Sequence, residues 1–224
     1  AFPQASSTLH FFEVDLCSYD QTTEAFSRFI ADGPLDLLIC LAGINNGIPF
    51  KGEEIDFEVE RKILEVNLMG TLNAVAAATP TIASFGGSII LVSSAAGVAG
   101  FPETPGYCTS KAGLFTIGES LNLRLATKNI HVGVVAPGYV KTKMARAVMA
   151  CVDNSKYAVT AEEAAREIKE SADKRRTLYI FPWQIRIASH FARYLPRKLF
   201  RALYRFWQRR RGEGKDEHHC CMRS

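Results

Sequence analysis

Three continuous apolar runs constrain what this chain can fold into: LDLLICLAG at 35–43, SIILVSS at 88–94 and IHVGVVAPG at 130–138. None alternates polar with apolar residues, as a strand with one wet face would. Each therefore reads as a strand covered on both sides, as in a parallel sheet. LHFFEVDL at 9–16 and TLYIFP at 177–182 read as two further strands. Helical stretches separate them. One runs from about Tyr19 to Ala31 and is broken by Asp32-Gly33-Pro34. A second opens at Asp56 or Phe57 and passes Asn67 toward Ser84, with Pro80 placed to bend or divide it. A third spans Tyr107 to about Thr127. Thr160 and Glu163 form a capping box before AAREIKESA, in which Ala161, Ala164, Ala165, Ile168 and Ala172 share one face. Strands alternating with helices at these distances imply βαβ units, hence one α/β domain on a doubly wound parallel sheet. Such sheets bind ligands beyond the carboxyl ends of their strands, where Gly43, Ser94, Pro137 and Gly138 all fall.

Composition narrows the class. With 224 residues, 47% of them hydrophobic, and a mean hydropathy near zero, the chain can bury a core and is not disordered by default. Its six cysteines (Cys17, Cys40, Cys108, Cys151, Cys220, Cys221) include no CxxC pair and fit reduced thiols in an intracellular compartment. No signal peptide is visible, and no apolar stretch nears the roughly 20 residues of a spanning helix. The net charge of +4 is unevenly placed. Eleven of the 27 Lys and Arg but three of the 23 Asp and Glu lie from Trp183 onward, which gives that end +8 and the remainder −4. A basic end suits an acidic partner such as a phospholipid surface, although nucleic acid or simple solvation would also satisfy the charge; no nucleic-acid partner is expected.

The most specific signal is chemical. Tyr107 and Lys111 stand four residues apart in YCTSKAG, on one face of a helix, so the ammonium can sit beside the phenol and favour its ionised form. Without such a cation a tyrosine, with a pKa of about 10, is a poor acid–base group near neutrality. Ser94 ends an apolar strand thirteen residues before Tyr107, and strand alternation turns its neighbour Ser93 to the other face.

The segments VNLMG, SS, AAG, FPETPGY, SKAG and PGYVKTKM follow one another in an order and spacing that resemble the short-chain dehydrogenase/reductase family, from about Leu9 to Met144 and more loosely to Pro182. The resemblance implies a Rossmann-like sheet and hydride transfer between nicotinamide and a carbonyl or alcohol carbon. It implies four catalytic residues. Tyr107 would be the general acid/base, and Lys111 would tune it and hold the nicotinamide ribose. Ser94 would hold the substrate oxygen, and Asn67 in EVNLMGTLN would open a water-linked proton path behind Lys111. Further cofactor contacts follow from the same resemblance. Asp15 in VDL matches an acidic residue set against the adenine. Ala42 and Gly43 match the end of an NNAG segment in which Cys40 and Leu41 replace the asparagines. Pro137, Gly138, Val140 and Thr142 match PGxVxT, which holds the carboxamide. The implied cofactor is NADP(H) or NAD(H), with NADP(H) slightly favoured, and no metal.

The family's glycine-rich loop and first βαβ unit are not found in this sequence, so the sheet is expected to be N-terminally incomplete, through truncation rather than as a natural half-enzyme. The expected organisation is a Rossmann-like domain over 1–182, a basic amphipathic helical extension over 183–210 and a disordered tail over 211–224. In the extension Ala188, Phe191, Leu195, Leu199, Leu203 and Phe206 recur every three or four positions beside a stripe of Arg193, Arg197, Arg201 and Arg205, with a division at Pro196. Docking on an anionic membrane, with Phe200, Tyr204 and Trp207 at the interface, competes evenly with packing over the substrate cleft or a partner subunit. Cys221 to Ser224 outline a CaaX box that Arg223 spoils, and His218 to Cys221 are too contiguous to enclose a tetrahedral ion. The functional expectation is an NAD(P)-dependent oxidoreductase acting on a small carbonyl or alcohol. That substrate is lipophilic if the tail and an apolar loop from Ile44 to Phe50 are a guide. The location is intracellular, either cytoplasmic or peripheral on a membrane, with a homo-oligomer as one option. The competing class is a catalytically inactive binding or scaffold protein on the same fold.

Overall fold

The computed structural model describes residues 10–30, 33, 35–45, 54–148 and 152–213. Four strands form one parallel sheet in the order β1 (Leu37–Cys40), β2 (Gly87–Val92), β3 (Ile130–Pro137) and β4 (Leu178–Phe181). Leu37 lies opposite Ser88, Gly87 opposite Ile130, and Val134 opposite Leu178. The register sends alternate residues to two separate cores. Ile89, Leu91, Val132 and Val134 meet Ala74, Val75, Ala78 and Ile82 of α3 (Gly70–Phe85) and Leu125 of α4 (Pro105–Leu125). On the other face Ile90, Val92, Val135 and Phe181 meet Ala164, Ile168 and Ala172 of α6 (Ala161–Asp173). Cover on both faces holds for β2 and β3 and is the reason those two runs carry no polar alternation; β1 departs from the reading, with Leu38 and Cys40 in the first core and Leu37 and Ile39 exposed on its other face. At about 1.5–3 kcal/mol per fully buried aliphatic side chain, these strands supply most of what holds the sheet together. The capping box forms as read, with Thr160 Oγ1 accepting from Glu163 N at 3.1 Å and Glu163 Oε2 accepting from Thr160 N at 2.7 Å.

Three expectations are corrected. Residues 10–16 form no strand. A strand needs a neighbour to take its N–H and C=O groups, and among the described residues β1 pairs with β2 alone. The segment is anchored instead by a helix: Asn73 Nδ2 donates to Leu16 O at 2.8 Å, and Leu16 Cβ lies against Gly70 where a Cβ would come within 3.1 Å. It then turns through Ser18 into α1 (Tyr19–Ile30), whose Phe26 joins the first core. Second, the stretch read as one helix is α2 (Phe57–Leu64), a π-helical turn at Glu65–Met69 and then α3, which continues through Pro80. Third, Phe200 and Tyr204 pack against Phe101 rather than standing toward an interface, while the basic end divides at Pro196 as read, into α7 (Trp183–Tyr194) and α8 (Arg197–Glu213). The break between them has a local cause. Leu195 precedes Pro196 and adopts φ −67°, ψ 131°, the extended conformation that the proline ring imposes on the residue before it.

Candidate active site

The carboxyl ends of β1, β2 and β3 and the first turns of α4 meet at one edge of the sheet. Ser94 follows β2 and opens a 3₁₀ turn at Ala95–Gly97, with its Oγ accepting from Ala96 N at 3.1 Å. Gly97 packs directly on α4: a Cβ there would lie 2.7 Å from Lys111 C and 2.8 Å from Ala112 N, so only glycine lets this turn reach the helix. The close approach brings the Ser94 side chain near enough to the Tyr107 phenol to lower its pKa. Ser93, turned the other way, is no idle neighbour, because its Oγ donates to Lys111 O at 2.7 Å. Two consecutive strand-end serines thus brace the same helix, one through its backbone and one at the phenol. Strand alternation was the available signal for Ser93; the acceptor it would find was not legible.

Lys111 is 4% exposed, with Nζ donating to Val92 O at 2.9 Å and lying 5.7 Å from the Tyr107 ring centroid. Burial lowers its pKa from 10.5 to about 8, partly opposed by Cys40. Burial likewise raises the Tyr107 pKa above its ordinary value, against the opposing hydrogen bond from Ser94. The expectation that the ammonium favours the phenolate is therefore not met in this arrangement. Desolvation wins over the four-residue proximity, and the same burial lowers the lysine's own pKa while leaving it protonated at neutral pH.

Asn67 is fully buried within the π turn. Its Oδ1 accepts from Ile44 N at 2.7 Å, while Nδ2 donates to Ile44 O at 2.9 Å and to Ser110 Oγ at 3.2 Å. The side chain ties the loop after β1 to α4, so its direct contacts are with backbone and Ser110. Gly43 sits between the two polar groups: a Cβ there would meet Asn67 Oδ1 at 3.2 Å and Lys111 Nζ at 3.4 Å. Ala42 is exposed beside it.

Pro137 ends β3 buried, and Gly138 N donates to Phe181 O at 2.8 Å. Val140 bridges Val159. Thr142 is exposed, and its Oγ1 accepts from Ala145 N at 3.3 Å at the start of α5 (Lys143–Val148). Asp15 is exposed and accepts from Cys17 N at 2.9 Å, which holds its carboxyl below the usual range and makes it a turn former in this structure. The fold thus brings together Asn67, Gly43, Ser94, Tyr107 and Lys111. Asp15 and Thr142 meet none of these in the contacts of the structure.

The basic end also reaches the site. Phe101, on the segment between Ser94 and Tyr107, meets Phe200 of α8 at 6.3 Å in an edge arrangement and Tyr204 at 6.4 Å, and Tyr204 donates to Glu103. Ile185 of α7 lies 3.0 Å from where a Cβ on Gly138 would stand. Trp207's side chain, the Ile44–Phe50 loop beyond Asn45 and the His and Cys cluster of the tail lie outside the described residues. No described helix is long and apolar enough to cross a membrane. Cys17, Cys40 and Cys108 are free thiols.

The geometry has counterparts. The chain is 34% identical over 136 residues to the 3-oxoacyl-acyl-carrier-protein reductase FabG of Rickettsia prowazekii, an alignment covering 59% of this chain and 55% of that protein. It is 35% identical over 147 residues to dehydrogenase/reductase SDR family member 4 of Mus musculus, covering 63% and 47%. The chain thus spans about half the length of the curated relatives it matches. Among solved structures, a short chain dehydrogenase from Burkholderia cenocepacia in complex with NADP superposes with a TM-score of 0.72 at 26% identity, covering 87% of this chain and 78% of that one. One from Mycobacterium paratuberculosis bound to NAD gives 0.65 at 27% identity, covering 75% and 70%. Residues 1–152, which hold the whole Ser94, Tyr107 and Lys111 cluster, match the short chain dehydrogenase family model, and to that family this chain belongs.

Proposed function

We propose that the protein is an NAD(P)-dependent oxidoreductase interconverting a carbonyl and an alcohol, with Tyr107 as its general acid/base. The observation that carries this reading is the contact between Ser94 and Tyr107 beside a buried Lys111. The residues fit a nicotinamide nucleotide. An ammonium has three donors; Val92 O takes one from Lys111 Nζ, leaving others for ribose hydroxyls. Gly43 leaves open the space a Cβ would fill between Asn67 and Lys111. Lys111, Ala42, Gly43 and the Pro137 to Thr142 segment would hold the nucleotide, with Asp15 at its adenine side, and the bound cofactor would supply or accept hydride. NADP(H) and NAD(H) are both found in the structural relatives, and NADP(H) is slightly favoured.

In reduction, Ser94 holds the carbonyl oxygen against the Tyr107 hydroxyl, which gives it a proton as negative charge develops there. In oxidation the phenolate takes that proton back. The raised phenol pKa keeps Tyr107 protonated at neutral pH, the form that reduction needs. Turnover assayed by nicotinamide absorbance across a panel of ketones and aldehydes tests the reading, using full-length protein. Oxidation of NADPH or NADH with at least one carbonyl is the expected result. No turnover on any, together with no nucleotide binding, would favour the inactive scaffold.

The second part of the reading places the protein peripherally on an intracellular anionic membrane, acting on a lipophilic substrate. Its support is the outward face of the end helices. Trp183, Ile187, Phe191 and Tyr194 of α7 and Leu199, Leu203 and Phe206 of α8 are exposed, and Arg186, Arg193, Arg197, Arg201 and Arg205 flank them. Each basic residue near such a surface is worth about 1 kcal/mol. Replacing Arg193, Arg197, Arg201 and Arg205 together by Gln is thus expected to weaken co-sedimentation with phosphatidylserine vesicles on the order of 10²–10³-fold. Equal binding of the variant, or equal binding to neutral vesicles, would sink this part.

A further inference from the structure

We infer that Glu60 is a positioning residue for Tyr107: its buried carboxylate grips the first turn of the helix that carries the phenol. The inference rests on the redox reading above. The other acids of this region behave as surface groups. Glu58 pairs with Arg61 at 2.6 Å, and Glu65 pairs with Arg61 at 2.7 Å and with Lys62 at 3.7 Å, all of them solvent-exposed or partly so. Glu60, on the inner side of α2, is 9% exposed and accepts from Gly106 N.

That amide is one of the leading N–H groups of α4, which have no partner within their own helix. Thr104, at the usual capping position, makes no side-chain cap; its hydroxyl faces Cys108 Sγ at 3.7 Å. The acceptor comes from a different helix, and a carboxylate there is favoured by the positive end of the helix dipole. Contact is close because residue 106 is glycine: a Cβ would stand 2.9 Å from Glu60 O and 3.1 Å from Glu60 Cα, and would overlap the carboxylate. Tyr107 is the next residue. Ser94 is held separately, at the end of β2. The distance between the two hydroxyls therefore depends on where α4 begins, and Glu60 fixes that point. The sequence gives no sign of this. An acid at 60 in an amphipathic, charged helix reads as one more solvated group.

The test uses the full chain with Glu60→Gln and Glu60→Ala. Gln keeps a side-chain oxygen as acceptor, and it is expected to hold kcat within about threefold of wild type. Ala is expected to lower kcat about 10- to 100-fold, since a misplacement on the order of 1 Å can cost 10²-fold. The KM for the nicotinamide nucleotide should stay within about twofold. A role confined to stability would lower the melting temperature of both variants and leave kcat per folded molecule unchanged. Hydrogen exchange at the Gly106 amide is read alongside and needs no turnover. It should accelerate in Glu60→Ala and stay slow in Glu60→Gln. If Glu60→Ala does not fold, Gly106→Ala keeps the acid, pushes it off the amide and should show the same loss. Wild-type kcat in a folded Ala variant, or unchanged protection of Gly106, overturns the inference. Absent turnover in the wild type would instead refute the redox reading, with the exchange result still deciding whether Glu60 holds the start of the helix.

Discussion

Tyr107→Phe is expected to lower kcat by about 10²–10⁴-fold while leaving the fold and nucleotide affinity nearly intact. The range is that of a positioned general acid or base. Phenylalanine keeps the ring and its packing and removes only the hydroxyl that meets Ser94. The pH dependence follows from the direction of the shift. With the phenol held above its ordinary pKa by burial, carbonyl reduction should be flat through neutrality and fall only as pH passes that raised value. Alcohol oxidation, which needs the phenolate, should climb with pH over the same range. Ser94→Ala removes the neighbour that lowers the phenol pKa, so it should push both profiles to higher pH and cost activity as well. Steady-state kcat against pH for the three proteins decides this. A Tyr107→Phe variant within threefold of wild type would remove Tyr107 from the reaction.

The second large effect is expected at Lys111, where stability and activity should part. The lysine's pKa is about 8 in the folded chain against an ordinary 10.5. Below pH 8 it is protonated in both states, and the cost of burying the charge is fully present. Between about 8 and 10.5 the unfolded chain binds the proton and the folded chain does not, so stability rises with pH. Integrated over that window the gain is about 3 kcal/mol, an order-of-magnitude value. Lys111→Met should abolish this rise, visible as a flat urea midpoint from pH 8 to 10.5 after allowing for other groups. Near neutrality its stability should stay close to wild type, because the relief of a buried charge is offset by leaving Val92 O without its donor. Turnover should fall at least 100-fold over the same pH range. If Lys111→Met shows the same alkaline stabilisation as wild type, the buried lysine is not its source.

Legibility was uneven, for physical reasons that differ from one residue to the next. The apolar runs of β2 and β3 were readable as buried strands because a parallel sheet shows in the period of its own residues, whereas β1 has the same pattern and still leaves Leu37 and Ile39 exposed, since cover comes from elements elsewhere in the chain. Pro196 was readable as a break because proline acts on its immediate neighbour. The strand at 9–16 was misread: an apolar, β-branched segment has the composition of a strand, yet pairing depends on an edge elsewhere. Asn67 was found by its motif, but its hydrogen bonds to Ile44 follow from a π turn whose register no local pattern announces. Phe200 and Tyr204 lie on an amphipathic helix that could face a bilayer or the protein. Phe101, about a hundred residues earlier, settles the matter for these two side chains.

Local pattern was enough to read the parallel sheet, the spacing of Ser94, Tyr107 and Lys111 and the concentration of positive charge after residue 182, because period, spacing and charge are local properties of the chain. How those groups are used follows from the folded arrangement. It buries Tyr107 and Lys111 so that desolvation holds the phenol pKa up and the lysine pKa down, draws Ser93 and Ser94 to the same helix, and sets the carboxylate of Glu60 at the start of α4. Such outcomes depend on contacts between residues far apart in sequence and on the dielectric those contacts create, neither of which a local pattern records.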